Sequence, residues 1–503
     1  MTQGPTHVKP NDPRLKLSQS AVDFARERNA ALRDHFGFST FHPGQAEALD
    51  SLQHGRDILA VLPTGSGKTL VYELATYLLN GRCLIVSPLL SLMQDQVGRL
   101  NARGERRAVA INSTLNRSEQ LTVLNQLATY RFIYVSPEML ANEQVISALQ
   151  RVQLRLFVVD EAHCISTWGP DFRPAYLSLG AVRQTLGQPL TLALTATADQ
   201  HVRTDICECL KLSSTHEELL YSVDRKNIFL DVEQCQSRQD KDERLLKLVQ
   251  QLVMPGIVYF SSKNQADEWA ERLVQAGISA ASYHAGLDAQ TRFTVQQQFM
   301  QDQLQVVCAT SAFGMGIDKA DIRFVIHYHL PGNLTDYVQE IGRAGRDGNQ
   351  SVALLLLAPG DSQLPAAFTE MQLPDERVIH HVFANGTGKQ PDGAVGLVAY
   401  YKDHGASETA VIDRFNERRR WRQDALSQIV NYAQNQTCLR SQLRQAFGET
   451  SEPHTETCCA PGSVPVDLPA LGLAREEKAT TATPALPSWQ TQFQTLFSKN
   501  FTN

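Results

Sequence analysis

Short apolar runs that alternate with longer helical stretches are the feature that most constrains the fold of this sequence. Buried strands separated by helices are typical of a parallel sheet, because each crossover between parallel strands needs a long connection. The runs form two series, and the second begins near Tyr221. The pattern therefore predicts an α/β fold with two successive parallel-sheet domains. The runs lie at residues 57–62, 83–86, 132–135, 154–159 and 190–194, then at 257–260, 279–283, 304–309, 324–327 and 352–356.

Length and charge bound the function. A chain of 503 residues is long enough for two to four domains. Its formal net charge of −6 excludes a simple basic nucleic-acid binder, so any contact with DNA must come from local patches.

Cysteine usage and hydropathy indicate the compartment. The nine cysteines are scattered rather than arranged as a disulfide framework, which favours a reducing environment. The N-terminal residues lack the apolar core of a signal peptide, and no run reaches transmembrane length. We expect a cytoplasmic protein without membrane contacts, associated with the nucleoid if it is bacterial.

A phosphate-binding loop directly follows the first apolar run. Residues 63–69 read Pro-Thr-Gly-Ser-Gly-Lys-Thr, and a helical pattern follows over residues 70–79. Glycines let backbone N–H groups turn towards phosphates, a lysine reaches the β- and γ-phosphates, and a hydroxyl can bind Mg²⁺. The predicted ATP-binding residues are Thr64, Gly65, Ser66, Gly67, Lys68 and Thr69.

Two adjacent carboxylates end another apolar run, within the sequence Phe-Val-Val-Asp-Glu-Ala-His at residues 157–163. Such a pair is costly at the end of a buried strand unless a cation or water occupies the site. We predict that Asp160 holds Mg²⁺ together with Thr69. Glu161 would orient and deprotonate the water that attacks the γ-phosphate.

These two motifs resemble those of superfamily 2 helicases of the DEAH type. The aromatic-rich residues 164–174 that follow resemble a loop specific to the RecQ family, which separates the chain from DEAH-type RNA helicases. The resemblance extends over about residues 30–450. It implies two RecA-like domains and an ATP- and Mg²⁺-dependent 3′→5′ DNA helicase that acts in repair or recombination.

The resemblance also assigns residues to nucleotide recognition. Residues 36–45 resemble the adenine-reading segment of the family, in which Gln45 would bind the adenine edge and Phe38 would stack on the ring. His42 stands where the family usually has arginine, so it can stack but supplies no permanent cation.

Further motifs are assigned to DNA contact and to its coupling with hydrolysis. Residues 195–197 resemble the coupling motif, and residues 87–92 resemble a loop that contacts the DNA strand. In the aromatic loop we expect Trp168, Phe172 and Arg173 to contact DNA, since bases stack on aromatic rings in any sequence. Burial of either aromatic between domains is the alternative.

An arginine pair stands at the end of the second α/β series. Residues 339–348 resemble the last helicase motif and place Gln339, Arg343 and Arg346 among the catalytic residues. Arginines three apart share a face if they lie on a helix. This second series contains no phosphate loop, so the arginines are expected to act as fingers on ATP bound by the first domain.

A zinc site is expected after the helical region. Residues 431–440 and 447–449 resemble the opening of the family's four-cysteine zinc domain, but the closing half departs from it. The alternative is a site that is weakened or lost, because adjacent cysteines rarely bind one ion easily. The candidate tetrahedral ligands are Cys438, His454, Cys458 and Cys459.

The C-terminal region has a different composition. Residues 449–487 are rich in Pro, Thr, Glu and Ser, which predicts a flexible linker. An apolar stripe from Trp489 to Phe497 could dock a protein partner or pack on its own core, and the family's winged-helix and accessory domains are not expected in the remaining chain. The expected divisions are 1–30, 31–217 (first RecA-like domain), 218–358 (second), 359–460 (helical and zinc-binding) and 461–503 (tail).

The combined motifs predict a helicase that acts on single-stranded and forked duplex DNA. The alternatives are a translocase that moves on DNA without separating strands and a non-catalytic, nucleotide-gated scaffold. A complete set of hydrolytic residues argues against the scaffold.

Overall fold

Two seven-stranded sheets account for the two series of apolar runs. The structure, a computed structural model, divides by its contacts into Met1–Ser222 and Val223–Asn503, with one sheet in each unit. The expected tandem of parallel α/β domains followed by a helical region is therefore confirmed. The residues described are 21–166, 174–314, 319–361, 373–386, 393–435, 437–450, 455, 458–460 and 466–475.

All strands of the first sheet are parallel, in the order β3-β4-β2-β5-β6-β1-β7. The last strand, β7, pairs with β1, so the first unit continues past residue 217, where the sequence had suggested a boundary. The strands are β1 (Ile58–Val61), β2 (Arg82–Val86), β3 (Ala108–Ile111), β4 (Phe132–Val135), β5 (Leu154–Val159), β6 (Leu190–Thr195) and β7 (Glu217–Leu220).

Helices cover both faces of this sheet and bury one apolar cluster on each. Alternate residues of β5 and β6 point to opposite faces, so each strand contributes to both clusters. The helices are α1 (Ala21–Phe36), α2 (Gln45–Gln53), α3 (Lys68–Leu78), α4 (Leu90–Ala102), α5 (Arg117–Asn125), α6 (Glu143–Gln150), α7 (Leu179–Thr185) and α8 (Gln200–Cys209).

The second sheet has the order β10-β11-β9-β12-β13-β8-β14 and is also parallel. Its last strand comes from the region that follows the helices and pairs with β8. The strands are β8 (Ile228–Gln234), β9 (Gly256–Tyr259), β10 (Ala280–Tyr283), β11 (Val306–Ala309), β12 (Phe324–His327), β13 (Ser351–Leu357) and β14 (Cys459–Ala460).

Helices of the second unit include the predicted helical region after the sheet. The longest of them is rich in charged residues, and within the described ranges none combines the length and apolar character that crossing a bilayer requires. The helices are α9 (Arg238–Gln251), α10 (Lys263–Gln275), α11 (Ala289–Met300), α12 (Leu334–Ile341), α13 (Glu376–Asn385), α14 (Gly393–Asp403), α15 (Glu408–Gln434) and α16 (Leu439–Ala446).

The prediction of a flexible linker over residues 449–487 is wrong for residues 466–475. Val466, Leu468 and Leu473 are buried in the apolar cluster on one face of the second sheet. The Val253 N–H donates to the Leu473 carbonyl over 2.9 Å. The composition of the longer segment is mostly polar, so these few apolar side chains did not alter the prediction. Their burial is enough to hold residues 466–475 in place.

Candidate active site

The phosphate loop, the acidic pair and residues 195–197 follow three neighbouring strands of the first sheet. The strand order places β5, β6 and β1 side by side, with Val159 opposite Ala193 and Val61 opposite Thr195. Parallel strands end at the same edge, so the three segments meet there. This carboxyl edge is where α/β sheets usually bind ligands.

The phosphate loop has the backbone conformation that its glycines allow. Gly65 and Gly67 have φ angles of 83° and 70°, in the left-handed region that side chains disfavour. Helix α3 begins at Lys68, so its N-terminal N–H groups face the loop. The Ser66 hydroxyl is buried, and none of the described atoms forms a hydrogen bond with it. The loop therefore offers several donors for phosphate oxygens.

Gln45 braces this loop. Its side-chain N–H group donates to the Ser66 and Gly67 carbonyls over 2.7 Å and 3.2 Å, and its carbonyl accepts from the His42 N–H over 2.9 Å. A methyl group added at Gly67 would lie 2.7 Å from the Gln45 amide nitrogen. The Gln45 side chain is buried, and its hydrogen bonds connect the segment before α2 to the phosphate loop.

The aromatic residues of the segment separate into two groups. The Phe38 side chain is 56% exposed and His42 is exposed, so both leave a ring face accessible. Phe36 and Phe41 instead pack against the core of the first unit. This difference fits Phe38 and His42 as stacking partners for a purine.

The acidic pair lies at the end of β5, where Tyr176 donates to the Asp160 carbonyl over 3.2 Å. Burial, together with the neighbouring Glu161 carboxylate, raises the pKa of Asp160 to about 7, and Lys68 acts in the opposite direction. Glu161 has a φ angle of 48°. A non-glycine residue in that region stores strain of about 1–3 kcal/mol, which is common at functional sites.

If Asp160 is the Mg²⁺ ligand that the sequence predicts, its raised pKa should make Mg²⁺ binding depend on pH. Below about pH 7 the carboxyl holds a proton that the metal must displace. We expect the affinity for Mn²⁺, used as a spectroscopic probe of the Mg²⁺ site, to fall up to about tenfold per pH unit below 7 and to level off above it. Asp160→Asn should remove both the binding and its pH dependence. Equal affinity at pH 6 and pH 8 would contradict this assignment.

His163 joins the acidic pair to the segment after β6. Its Nδ1 lies 3.0 Å from the Thr195 hydroxyl oxygen and 3.4 Å from a Glu161 carboxylate oxygen, and the ring is 2% exposed. The Thr195 hydroxyl in turn donates to the Thr197 carbonyl over 3.0 Å. The sequence motif included His163 without giving it a role. The structure makes it the contact between the carboxylates and residues 195–197.

The arginines of the last motif do not share a helical face, so that expectation is wrong. Helix α12 ends at Ile341, Gly342 occupies its C-cap position, and both arginines lie in the turn that follows. Arg343 is 5% exposed and donates to the Gly314 carbonyl. Arg346 is half-buried, and Gln339 lies on α12. The turn contains Gly345, with a φ angle of 55°.

Three of the four candidate zinc ligands converge. The sulfur atoms of Cys438, Cys458 and Cys459 lie 3.4–3.7 Å apart. A tetrahedral ion with zinc–sulfur distances of about 2.3 Å would hold its sulfurs about 3.8 Å apart, so the three thiols fit zinc. The geometry therefore allows the adjacent Cys458 and Cys459 to face one centre. His454 lies outside the described residues.

The predicted DNA contacts cannot be placed in the same way. Trp168, Phe172 and Arg173 lie outside the described residues, as does the apolar stripe from Trp489 to Phe497. Ser87, which begins the other predicted DNA loop, lies after β2 with its hydroxyl buried.

Three protein families match successive parts of the chain. The DEAD/DEAH box helicase family matches residues 42–205, and the helicase conserved C-terminal domain matches residues 240–348. The RecQ zinc-binding family matches residues 403–461, which contain the cysteine cluster. The matches follow the order of the two sheets and the helical region.

Curated relatives extend the match over most of the chain. The probable ATP-dependent DNA helicase RecS of Bacillus subtilis is 40% identical over 489 residues, which cover 93% of this chain and 97% of the relative. The ATP-dependent DNA helicase RecQ of Haemophilus influenzae is 35% identical over 443 residues, 88% of this chain and 64% of the relative. The chain thus spans nearly all of RecS but less than two thirds of that RecQ.

Solved structures share the fold. The helicase MrfA bound to DNA has a TM-score of 0.56 at 18% identity, covering 76% of this chain and 57% of that one. The DEAD-box helicase Mss116 bound to single-stranded RNA has a TM-score of 0.56 at 15% identity, covering 80% of this chain and 90% of that one. At these identities the likeness supports the tandem-domain architecture alone.

Proposed function

The chain belongs to the RecQ family and is an ATP-dependent helicase, and from this premise we propose that it moves 3′→5′ along single-stranded DNA and separates duplexes during repair or recombination. The observation that carries the proposal is the contact between His163, Glu161 and Thr195 at the carboxyl edge of the first sheet. It connects the hydrolytic carboxylates to a segment that resembles the family's coupling motif.

ATP binding is assigned to the phosphate loop and the segment before it. Backbone N–H groups around Gly65 and Gly67, with the Lys68 amine, would bind the phosphates. Gln45 and Phe38 would hold the adenine, by its edge and its face respectively. Because Gln45 also bonds the loop, a correct base would favour the loop shape that grips phosphate.

Hydrolysis is assigned to the acidic pair. Thr69 and Asp160 would hold Mg²⁺, which when bound bridges phosphate oxygens and neutralises charge that develops on them. Glu161 would accept a proton from the attacking water. One of its carboxylate oxygens lies 3.4 Å from Nδ1 of His163, a contact that would help to orient it towards the attacking water.

The arginine pair is assigned to charge stabilisation during hydrolysis. Guanidinium groups bind phosphate oxygens in a bidentate manner that other side chains do not reproduce. We propose that Arg343 and Arg346 act on ATP held by the first unit, with Gln339 supporting them. Loss of the γ-phosphate would then release them and reset the motor.

DNA is proposed as the track for this motor. The similar RecS and RecQ proteins are named as DNA helicases, and MrfA was solved bound to DNA. Contacts through Trp168, Phe172 and Arg173 would stack on bases and bind backbone phosphates. We also propose that Cys438, Cys458 and Cys459 bind a structural zinc ion, with His454 as the fourth ligand.

A strand-release assay tests the proposal. A fork with a 3′ single-stranded tail should lose its labelled strand in the presence of ATP and Mg²⁺, whereas a 5′-tailed fork should not. Single-stranded DNA should also stimulate ATP hydrolysis. Lys68→Ala, which removes the amine aimed at the phosphates, serves as the inactive control.

Each other outcome revises the proposal in a defined way. Stimulated hydrolysis without strand release would replace the helicase by a translocase. Release from the 5′-tailed fork alone would reverse the direction. Absence of any DNA-stimulated hydrolysis would leave a nucleotide-gated binding protein.

A further inference from the structure

A second cluster of metal-ligating side chains lies in the first unit, apart from the ATP site and from the cysteine cluster of the second unit. The sulfur of Cys207, near the end of α8, lies 3.4 Å from Nε2 of His216. The same nitrogen lies 3.7 Å from a carboxylate oxygen of Glu218 in β7. The three ligand atoms all lie within 4.8 Å of one another.

A backbone carbonyl selects the tautomer of the His216 imidazole. Nδ1 of His216 lies 2.8 Å from the Ser213 carbonyl, which can only accept a hydrogen bond. Nδ1 therefore carries the proton, and in the neutral ring Nε2 presents a lone pair towards Cys207 and Glu218. A carbonyl partner of this kind is the usual support of a metal-binding histidine.

The carboxylate is oriented as well. Arg203 donates through Nε to one oxygen of Glu218 over 3.1 Å. The other oxygen is the one that lies near Nε2 of His216. Arg203 thus holds one carboxylate oxygen of Glu218, and the second oxygen points to the centre of the cluster.

We propose that Cys207, His216 and Glu218 bind a Zn²⁺ ion, with water as the fourth ligand. Bond lengths of about 2.3 Å to sulfur and about 2.1 Å to nitrogen and oxygen place tetrahedral ligand atoms about 3.4–3.6 Å apart. The two distances observed from Nε2 agree with that spacing. The side chains of His216 and Glu218 are 24% and 33% exposed, so water can reach the ion.

Binding would convert the thiol to a thiolate. A free cysteine thiol carries its proton at neutral pH. The new zinc–sulfur bond replaces the S–H bond, and one proton is released to solvent for each ion bound. The thiolate and the carboxylate together balance the charge of the ion.

The ion would connect two elements of the first unit. Helix α8 follows residues 195–197, and β7 is the edge strand that pairs with β1, the strand before the phosphate loop. A metal link between α8 and β7 would brace this edge of the sheet. The competing explanation is a simple hydrogen bond between the thiol and Nε2.

Zinc content of the full-length protein distinguishes the two. The parent chain, Cys207→Ser, Cys438→Ser and the double variant are stripped with chelator, given excess Zn²⁺, desalted and measured by atomic spectroscopy. We expect Cys207→Ser to lose one zinc ion per chain relative to the parent, both alone and in the Cys438→Ser background. An unchanged zinc content would overturn the proposal, whatever the cysteine cluster of the second unit binds.

Two further measurements guard against a folding artefact. Co²⁺ added in the Cys438→Ser background should give a thiolate charge-transfer band that Cys207→Ser removes and that His201→Ala, an exposed histidine of the same helix, preserves. Glu218→Gln should weaken Zn²⁺ binding by roughly tenfold or more. DNA-stimulated ATP hydrolysis equal to that of the parent would show that Cys207→Ser remains folded, and absence of the cobalt band in the Cys438→Ser background would also reject the site.

Discussion

Glu161→Gln is expected to lower DNA-stimulated ATP hydrolysis by about 10²–10⁴-fold, the usual contribution of a positioned general base. Glutamine has the same shape as glutamate and can keep the contact with His163, but it cannot take a proton from water. Strand release should disappear with hydrolysis. The measurement is the steady-state kcat with saturating single-stranded DNA.

The binding steps provide the control for this variant. Since the phosphate loop is untouched, Glu161→Gln should bind a fluorescent ATP analogue with Mg²⁺ as tightly as the parent does. Glu143→Gln, which changes an exposed carboxylate at the start of α6, should retain full activity. If Glu161→Gln kept more than a tenth of the parent kcat, Glu161 would not be the base.

Arg346→Ala is expected to lower kcat by about 10³-fold or more, an effect typical of the loss of an arginine finger. Arg343→Ala should have a similar effect on kcat and should also reduce the thermal unfolding midpoint. The difference arises because Arg343 is buried and donates to the Gly314 carbonyl, so its removal leaves that acceptor without its donor. ATPase kinetics and thermal melts of the two variants test this.

Two further variants distinguish a loss of catalysis from a loss of folding. Arg346→Lys retains the charge but loses the bidentate geometry, so it should recover only a small part of the activity. Arg377→Ala, at an exposed arginine of α13, should leave both kcat and the melting midpoint unchanged. Full activity in Arg346→Ala would remove that residue from the hydrolytic set.

The strands that carry the site could be predicted because they are buried on both faces. The run 132–135 is continuously apolar and the run 154–159 is interrupted only by Arg155, and the two match β4 and β5 in the structure. The sequence does not predict strand β7, because Glu-Glu-Leu-Leu is not an apolar run. At the sheet edge its residues alternate between half-buried and exposed. Edge strands need no continuous apolar pattern.

Contacts between distant motifs could not be predicted from their separate sequences. His163 and Thr195 belong to different motifs, and only the neighbouring positions of β5 and β6 bring their side chains to 3.0 Å. Cys207, His216 and Glu218 have no recognised ligand spacing, so they cannot be grouped from the sequence alone. The three side chains come together only because the chain folds back after α8 to form β7.

The turn after α12 shows a different limit. The spacing of Arg343 and Arg346 is compatible with a helix, and the sequence contains no proline to end it. In the structure the helix stops before Gly342, and Gly345 takes a left-handed conformation in which its N–H donates to the Ile322 carbonyl. Such a tertiary contact outweighs local helical spacing.

Strand β14 has a consequence for how copies of this protein behave in a crowded solution. It covers Leu230 and Asp231 of β8, which would otherwise present unpaired backbone groups at the margin of the sheet. Cys459 belongs to this strand and to the sulfur cluster, so an ion bound there would hold the cover in place. Removal of the ion by a chelator would free β14 to detach, and the exposed edge of β8 could then pair with a strand of another chain. With its ion bound, the cysteine cluster would therefore protect the protein from self-association, a role separate from ATP-driven movement.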